Sequence, residues 1–98
     1  MATHAVTSEN FNEVIEGNDL VFVDFWATWC GPCRAFGPTF EKASEANPDI
    51  YFAKVDIDQN PDLAQAAKVQ AVPTLMVVKK QQIVFQQAGA CAPPIWMI

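Results

Sequence analysis

Cys30 and Cys33 are separated only by Gly31 and Pro32, and an acid, Asp24, closes an apolar run just upstream. Two thiols one helical turn apart suit a relay. One thiolate attacks a disulfide, and the other thiol then resolves the mixed disulfide. The attacking sulfur must be a thiolate. A helix N-terminus favours that form through its unpaired amide N–H groups and the positive end of its dipole. From Cys33 to Ala46, Phe36, Phe40 and Ala43 recur at helical spacing, with Pro38 inside as an expected kink. Gly31-Pro32 makes the entry tight, Pro32 supplying a helical φ with no N–H to satisfy. Cys30 is therefore expected to be the nucleophile and the more exposed thiol, and Cys33 the resolving thiol that faces it. Zinc would need two further ligands, and the remaining candidates, His4 and Cys91, each stand singly. A c-type haem would need His after the second cysteine, where Arg34 stands. The expectation is no cofactor and no metal.

Asp24 has apolar neighbours on both sides, Val23 and Phe25, and follows Leu20, Val21 and Phe22. Burial there raises a carboxyl pKa into the range useful for proton transfer. Asp24 is thus a candidate proton acceptor for Cys33, with a purely structural role as the alternative. Lys54, on what reads as a neighbouring strand, is its expected partner.

The elements that must hold these groups follow from patterning. "LVFVDFWA", Leu20 to Ala27, reads as a central strand covered on both faces. "TSENFNEVIEG" before it reads as a helix capped by Thr7 or Ser8 and ended by Gly17. Ile50 to Ile57 reads as a second strand. Asn60 to Val69 reads as a short helix with Asn60 as cap and Pro61 in its first turn. Thr74 to Val78 and Ile83 to Gln87 form an expected antiparallel hairpin. Its connection, Lys79 to Gln82, lacks the glycine that tight hairpins favour, so a wider or slightly strained turn is expected. The fold class is α/β: a mixed sheet of four to five strands with helices on both faces. The expected organisation is one domain over residues 1–90 and an atypical apolar tail over 91–98.

Composition narrows the partners. A net charge of −5 with no basic cluster excludes nucleic acid and anionic membrane surfaces as natural partners. The N-terminus lacks the basic and apolar regions of a secretory signal, and no apolar run reaches spanning length. A reducing, cytoplasmic setting is expected, where a CxxC pair is more often catalytic or metal-binding than structural.

Two stretches carry a family resemblance: "VDFWATWCGPCRAFGPTFEKAS" and "AKVDIDQNPDLAQAAKVQAVPTLMVVK". Together they resemble the thioredoxins, over roughly residues 7 to 90. The resemblance implies the thioredoxin fold and protein disulfide reduction, with disulfide-containing proteins as substrates and thioredoxin reductase as electron donor. It implies Cys30 as nucleophile, Cys33 as resolving thiol, Asp24 as the buried acid and Lys54 as its neighbour. It makes Pro73 a cis proline facing the disulfide, between Val72 and Thr74. Backbone groups freed there would pair with an extended substrate segment. Trp26 is implied to pack beneath the motif. Trp29, Gly31, Pro32 and Gly89 join Val72, Pro73 and Thr74 as the implied substrate-contacting rim. For Trp29, packing and recognition both stand. Gly-Pro between the cysteines resembles the reducing members of the family. The alternative function is a binding module whose partner uses the groove and not the thiols, or a poorly active truncated form.

The end of the chain departs from the family. After Gly89, where the family continues into an amphipathic helix, the sequence reads "ACAPPIWMI". Ile95-Trp96-Met97-Ile98, read from the third base of each codon, becomes Leu or Met, Asp, Asp, then Leu, Met or Ile. The expectation is a frameshifted or truncated segment that lacks the last helix. The sheet face so uncovered would favour self-association, and Cys91 would be an accident of the shifted frame or an intermolecular disulfide partner.

Overall fold

The computed structural model describes residues 2–69 and 71–88. Gly89, Cys91 and the tail through Ile98 lie outside the described residues, and so do the expectations attached to them. Strands β1 (Thr3–Ala5), β2 (Leu20–Trp26), β3 (Tyr51–Asp56), β4 (Thr74–Lys79) and β5 (Gln82–Ala88) alternate with helices α1 (Phe11–Gly17), α2 (Gly31–Ala46) and α3 (Pro61–Ala66). The strands form one mixed sheet in the order β1-β3-β2-β4-β5. β2 pairs in parallel with β3 on one side and antiparallel with β4 on the other.

β2 occupies the middle because its residues are apolar on both faces, and the two faces take different helices. Val21, Val23 and Phe25 join Ala53, Val55, Met76 and Val78 in one core, against which Phe11, Val14 and Ile15 of α1 and Leu63 of α3 pack. Phe22 faces the other way, towards Phe36 and Phe40 of α2 with Phe52 and Leu75. The Phe40 and Phe52 rings meet edge to face at 5.2 Å, the favourable geometry for aromatic pairs. These flanking rings hold α2 on the sheet and carry it through Pro38, which removes only the bond to the carbonyl of Arg34.

Three local features go beyond the expectations, and one of them corrects an expectation. α1 is not capped by Thr7 or Ser8. Residues 7–10 form a turn, closed by Asn10 N–H to Thr7 O at 3.2 Å, and the helix starts beyond it. Asn10 Oδ1 is occupied by Thr7 N–H at 2.7 Å, while Ser8 is drawn away to Asn60 and Asp62. The strand β1 was not anticipated: three residues carry no readable alternation, and its place comes from pairing with β3. The hairpin turn is the tight one, with Lys80 and Gln81 both at positive φ, 51° and 67°. The chain takes the backbone twist of a two-residue hairpin turn without the residues that adopt it freely.

Candidate active site

The site forms where β2 ends and α2 begins. Cys30 is the N-cap residue of α2, with extended backbone, and Pro32 stands in the first turn as expected. Its sulfur accepts the Cys33 backbone N–H at 3.1 Å, one of the otherwise unpaired donors of the helix start. The same geometry favours negative charge on Cys30 Sγ when the pair is reduced. The two cysteines are joined as a disulfide, with Cα atoms 5.3 Å apart. In this oxidised state Cys30 is 4% exposed and Cys33 5%. The expected difference in exposure is therefore absent, because both cysteines pack with Ala27 and Val72, and Trp26, Ile57 and Val69 pack against the group. What separates the two thiols is position on the helix.

The segment before β4 approaches from the other side. The Val72-Pro73 peptide is cis, and the Val72 carbonyl oxygen lies 3.6 Å from Cys30 Sγ. Thr74 is buried and donates its hydroxyl to Ala71 O. Gly31 and Pro32 are exposed beside the disulfide. Trp29 is 66% exposed, and its indole N–H donates to Asp58 Oδ2 at 2.8 Å. Asp58 was not among the residues singled out from sequence. The only signal for it was its place in the acidic loop after β3. In the sequence Arg34 signals only that a c-type haem is excluded. It holds the motif's entry by donating to Thr28 O at 3.1 Å.

Asp24 is 1% exposed. Strand alternation puts it between Phe22, which packs towards α2, and Trp26, which packs on the cysteine pair. Neither carboxyl oxygen has a hydrogen-bond partner among the described residues. Burial pushes its pKa up to about 7, and the positive charge of Lys54 opposes that rise. Lys54 stands opposite Asp24 in the β2–β3 register. Its ammonium lies 5.3 Å from the centre of the Trp26 ring, a cation–π arrangement, and close beneath α2 at Gly37. The lysine therefore acts on the acid through its charge, its head group being held against the indole.

The site thus gathers Asp24, Lys54, Trp29, Cys30, Gly31, Pro32, Cys33, Val72, Pro73 and Thr74, while Gly89 lies outside the described residues. His4 is elsewhere, stacked on Tyr51 at 4.6 Å. Among the described residues, no group of three His, Cys, Asp or Glu side chains is arranged to hold a metal ion. No helix among them is long and apolar enough to cross a membrane.

Comparison with known proteins matches the thioredoxin family model over residues 2–93. A thioredoxin-type relative from Streptomyces coelicolor is 53% identical over 91% of this chain and 66% of its own. Thioredoxin-2 of Pyricularia oryzae is 41% identical over 97% of this chain. The chain spans 66% and 56% of the lengths of these two relatives. The solved structure of a Plasmodium falciparum thioredoxin superposes with a TM-score of 0.86 at 35% identity, covering 90% of this chain and 87% of that one.

Proposed function

The chain belongs to the thioredoxin family, and on that premise we propose that it reduces protein disulfides by dithiol exchange. The observation that carries this is the Cys33 N–H directed at Cys30 Sγ at 3.1 Å, within a pair already at bonding distance. In the reduced protein the Cys30 thiolate attacks one sulfur of a substrate disulfide. The substrate S–S bond breaks, a Cys30–substrate bond forms, and the departing substrate sulfur takes a proton. Cys33 then gives its proton to Asp24 and attacks Cys30 Sγ. The mixed disulfide breaks, and the second substrate sulfur leaves as a thiolate and takes a proton from water. The substrate gains two electrons and the Cys30–Cys33 pair loses them.

Asp24 is suited to that step. A carboxyl with a pKa near 7 accepts a proton from a thiol and returns it to solvent with little bias either way. Lys54 tunes the acid by its charge. The exposed Trp29, Gly31 and Pro32 supply surface for an extended substrate strand, with Gly89 as a further rim residue; Val72, Pro73 and Thr74, buried in the oxidised protein, would meet the substrate along the inner edge of that surface. Recharging needs an external dithiol donor, for which a thioredoxin reductase is the proposed partner in a cytoplasmic setting. The test is reduction of insulin disulfides with a chemical dithiol as donor. The wild type should accelerate it, Cys30→Ser should abolish the acceleration, and Cys33→Ser should accumulate a mixed disulfide. Wild type and Cys30→Ser proteins that perform alike would refute the proposal and favour a thiol-independent binding module.

A further inference from the structure

Asn60 occupies the N-cap position of α3, yet its side chain does not cap that helix. It is 5% exposed, and both polar atoms of its side chain are used elsewhere. Its side-chain Nδ2 and its backbone N–H both donate to Asp56 O, each at 3.0 Å, which closes residues 56–60 into a ring. Its Oδ1 accepts the Ser8 backbone N–H at 2.9 Å and the Ser8 hydroxyl at 3.1 Å, tying that ring to the segment before α1. Ser8 Oγ also reaches Asp62 Oδ1 at 2.7 Å. Inside the ring the Asp58 N–H donates to Asp56 Oδ1 at 2.9 Å. The Asp58 carboxylate then accepts the Trp29 indole N–H at 2.8 Å. At 66% exposure, Trp29 gains little orientation from packing, so this hydrogen bond sets it.

We infer that Asn60, fastened by Ser8, is a positioning residue for Trp29: it holds the β3–α3 loop so that Asp58 fixes the indole beside Cys30. A buried amide explains the choice of side chain. It donates from Nδ2 to the Asp56 carbonyl while its separate Oδ1 accepts from Ser8; an ionised carboxylate has no hydrogen to donate, and a hydroxyl has one oxygen in place of these two separated atoms. The capping role that position normally carries has been given up for this clamp. The inference rests on the proposed disulfide exchange for its kinetic consequence and on the loop alone for its spectroscopic one.

The experiment follows the Trp29 indole N–H by NMR in full-length protein, with insulin reduction measured alongside. Asn60→Ala should move that resonance towards its position in Asp58→Ala. It should also raise KM about fivefold with kcat little changed, the scale of one hydrogen bond lost at an exposed site. In an Asp58→Ala background, Asn60→Ala should add nothing further to KM, because it acts through Asp58. An indole resonance that stays at its wild-type position in folded Asn60→Ala overturns the inference. So does an equal rise in KM with and without Asp58. Should Asn60→Ala fail to fold, Ser8→Ala removes only the hydroxyl contacts and should move the resonance in the same direction by less; no movement there overturns the inference as well. Wild-type protein that reduces no insulin refutes the proposed activity instead, a result independent of where the indole signal falls.

Discussion

Replacing Asp24 by Asn removes a buried acid and leaves its shape. A folded-state pKa of about 7, against the ordinary 3.8, means that the folded protein keeps a proton which the unfolded chain releases. The contribution of Asp24 to stability is therefore full below about pH 4, falls as pH rises towards about 7, and is level beyond. The gap of roughly three pH units, at about 1.4 kcal/mol each, makes the ionised carboxyl cost roughly 4 kcal/mol when the loss is complete. At about pH 5 somewhat over a third of that loss has developed, and at about pH 8.5 all of it. The amide that replaces the carboxyl would be buried equally at both, so its cost cancels in the difference. The advantage of Asp24→Asn over wild type should therefore grow by about 2–3 kcal/mol between these conditions. Urea unfolding of both oxidised proteins at each pH measures it, with the thiols locked out of the titration. A growth under about 1 kcal/mol would mean that the carboxyl titrates below about pH 6, and the case for Asp24 as a neutral-range proton acceptor would go with it.

The same substitution should slow resolution of the mixed disulfide by roughly 10²-fold and abolish a rise in that rate through about pH 7, read by stopped-flow Trp fluorescence. Cys30 should alkylate well before Cys33 in the reduced protein, since its sulfur receives the helix-start N–H; mass spectrometry after a short iodoacetamide pulse decides the order. Gln81→Gly should raise stability by about 1 kcal/mol by relieving a positive φ, seen as a higher urea midpoint at unchanged slope. Phe40→Ala should lose about 3–5 kcal/mol, because it empties the contact between α2 and Phe52, and the thermal melt should drop accordingly.

Whatever depended on near neighbours in the chain was legible. The apolar run at Leu20 announced a strand covered on both sides, and the burial of Asp24 followed from the same run. Helix-start chemistry at Cys30 needed only Pro32 and the aromatic spacing behind it. The losses are contacts across long separations. Asn60 looked like a cap, and nothing near it in sequence hints that Ser8 would claim its carbonyl oxygen. The Trp29–Asp58 bond joins two loops that only the β2–β3 pairing brings side by side. The hairpin left a wide and a strained turn both open, and the β4–β5 register settled it by tolerating two unfavourable residues. The equal burial of the two cysteines was out of reach because Val72 and Val69 cover them from a distant segment.

Asp24 sits in the middle strand of the five, opposite Lys54 on one side and Leu75 on the other. The centre of a sheet is the last part of a domain to open, so amides there exchange with solvent only when the whole molecule unfolds. A proton taken up at that point is therefore felt by the entire fold. Local chemistry and global persistence share one side chain, and the lineage cannot retune the acid without changing how much of the protein stands folded. Between about pH 4 and about pH 7, a drift in the acidity around this chain is converted into a change in its unfolded fraction, and through that into the rate at which proteases remove it.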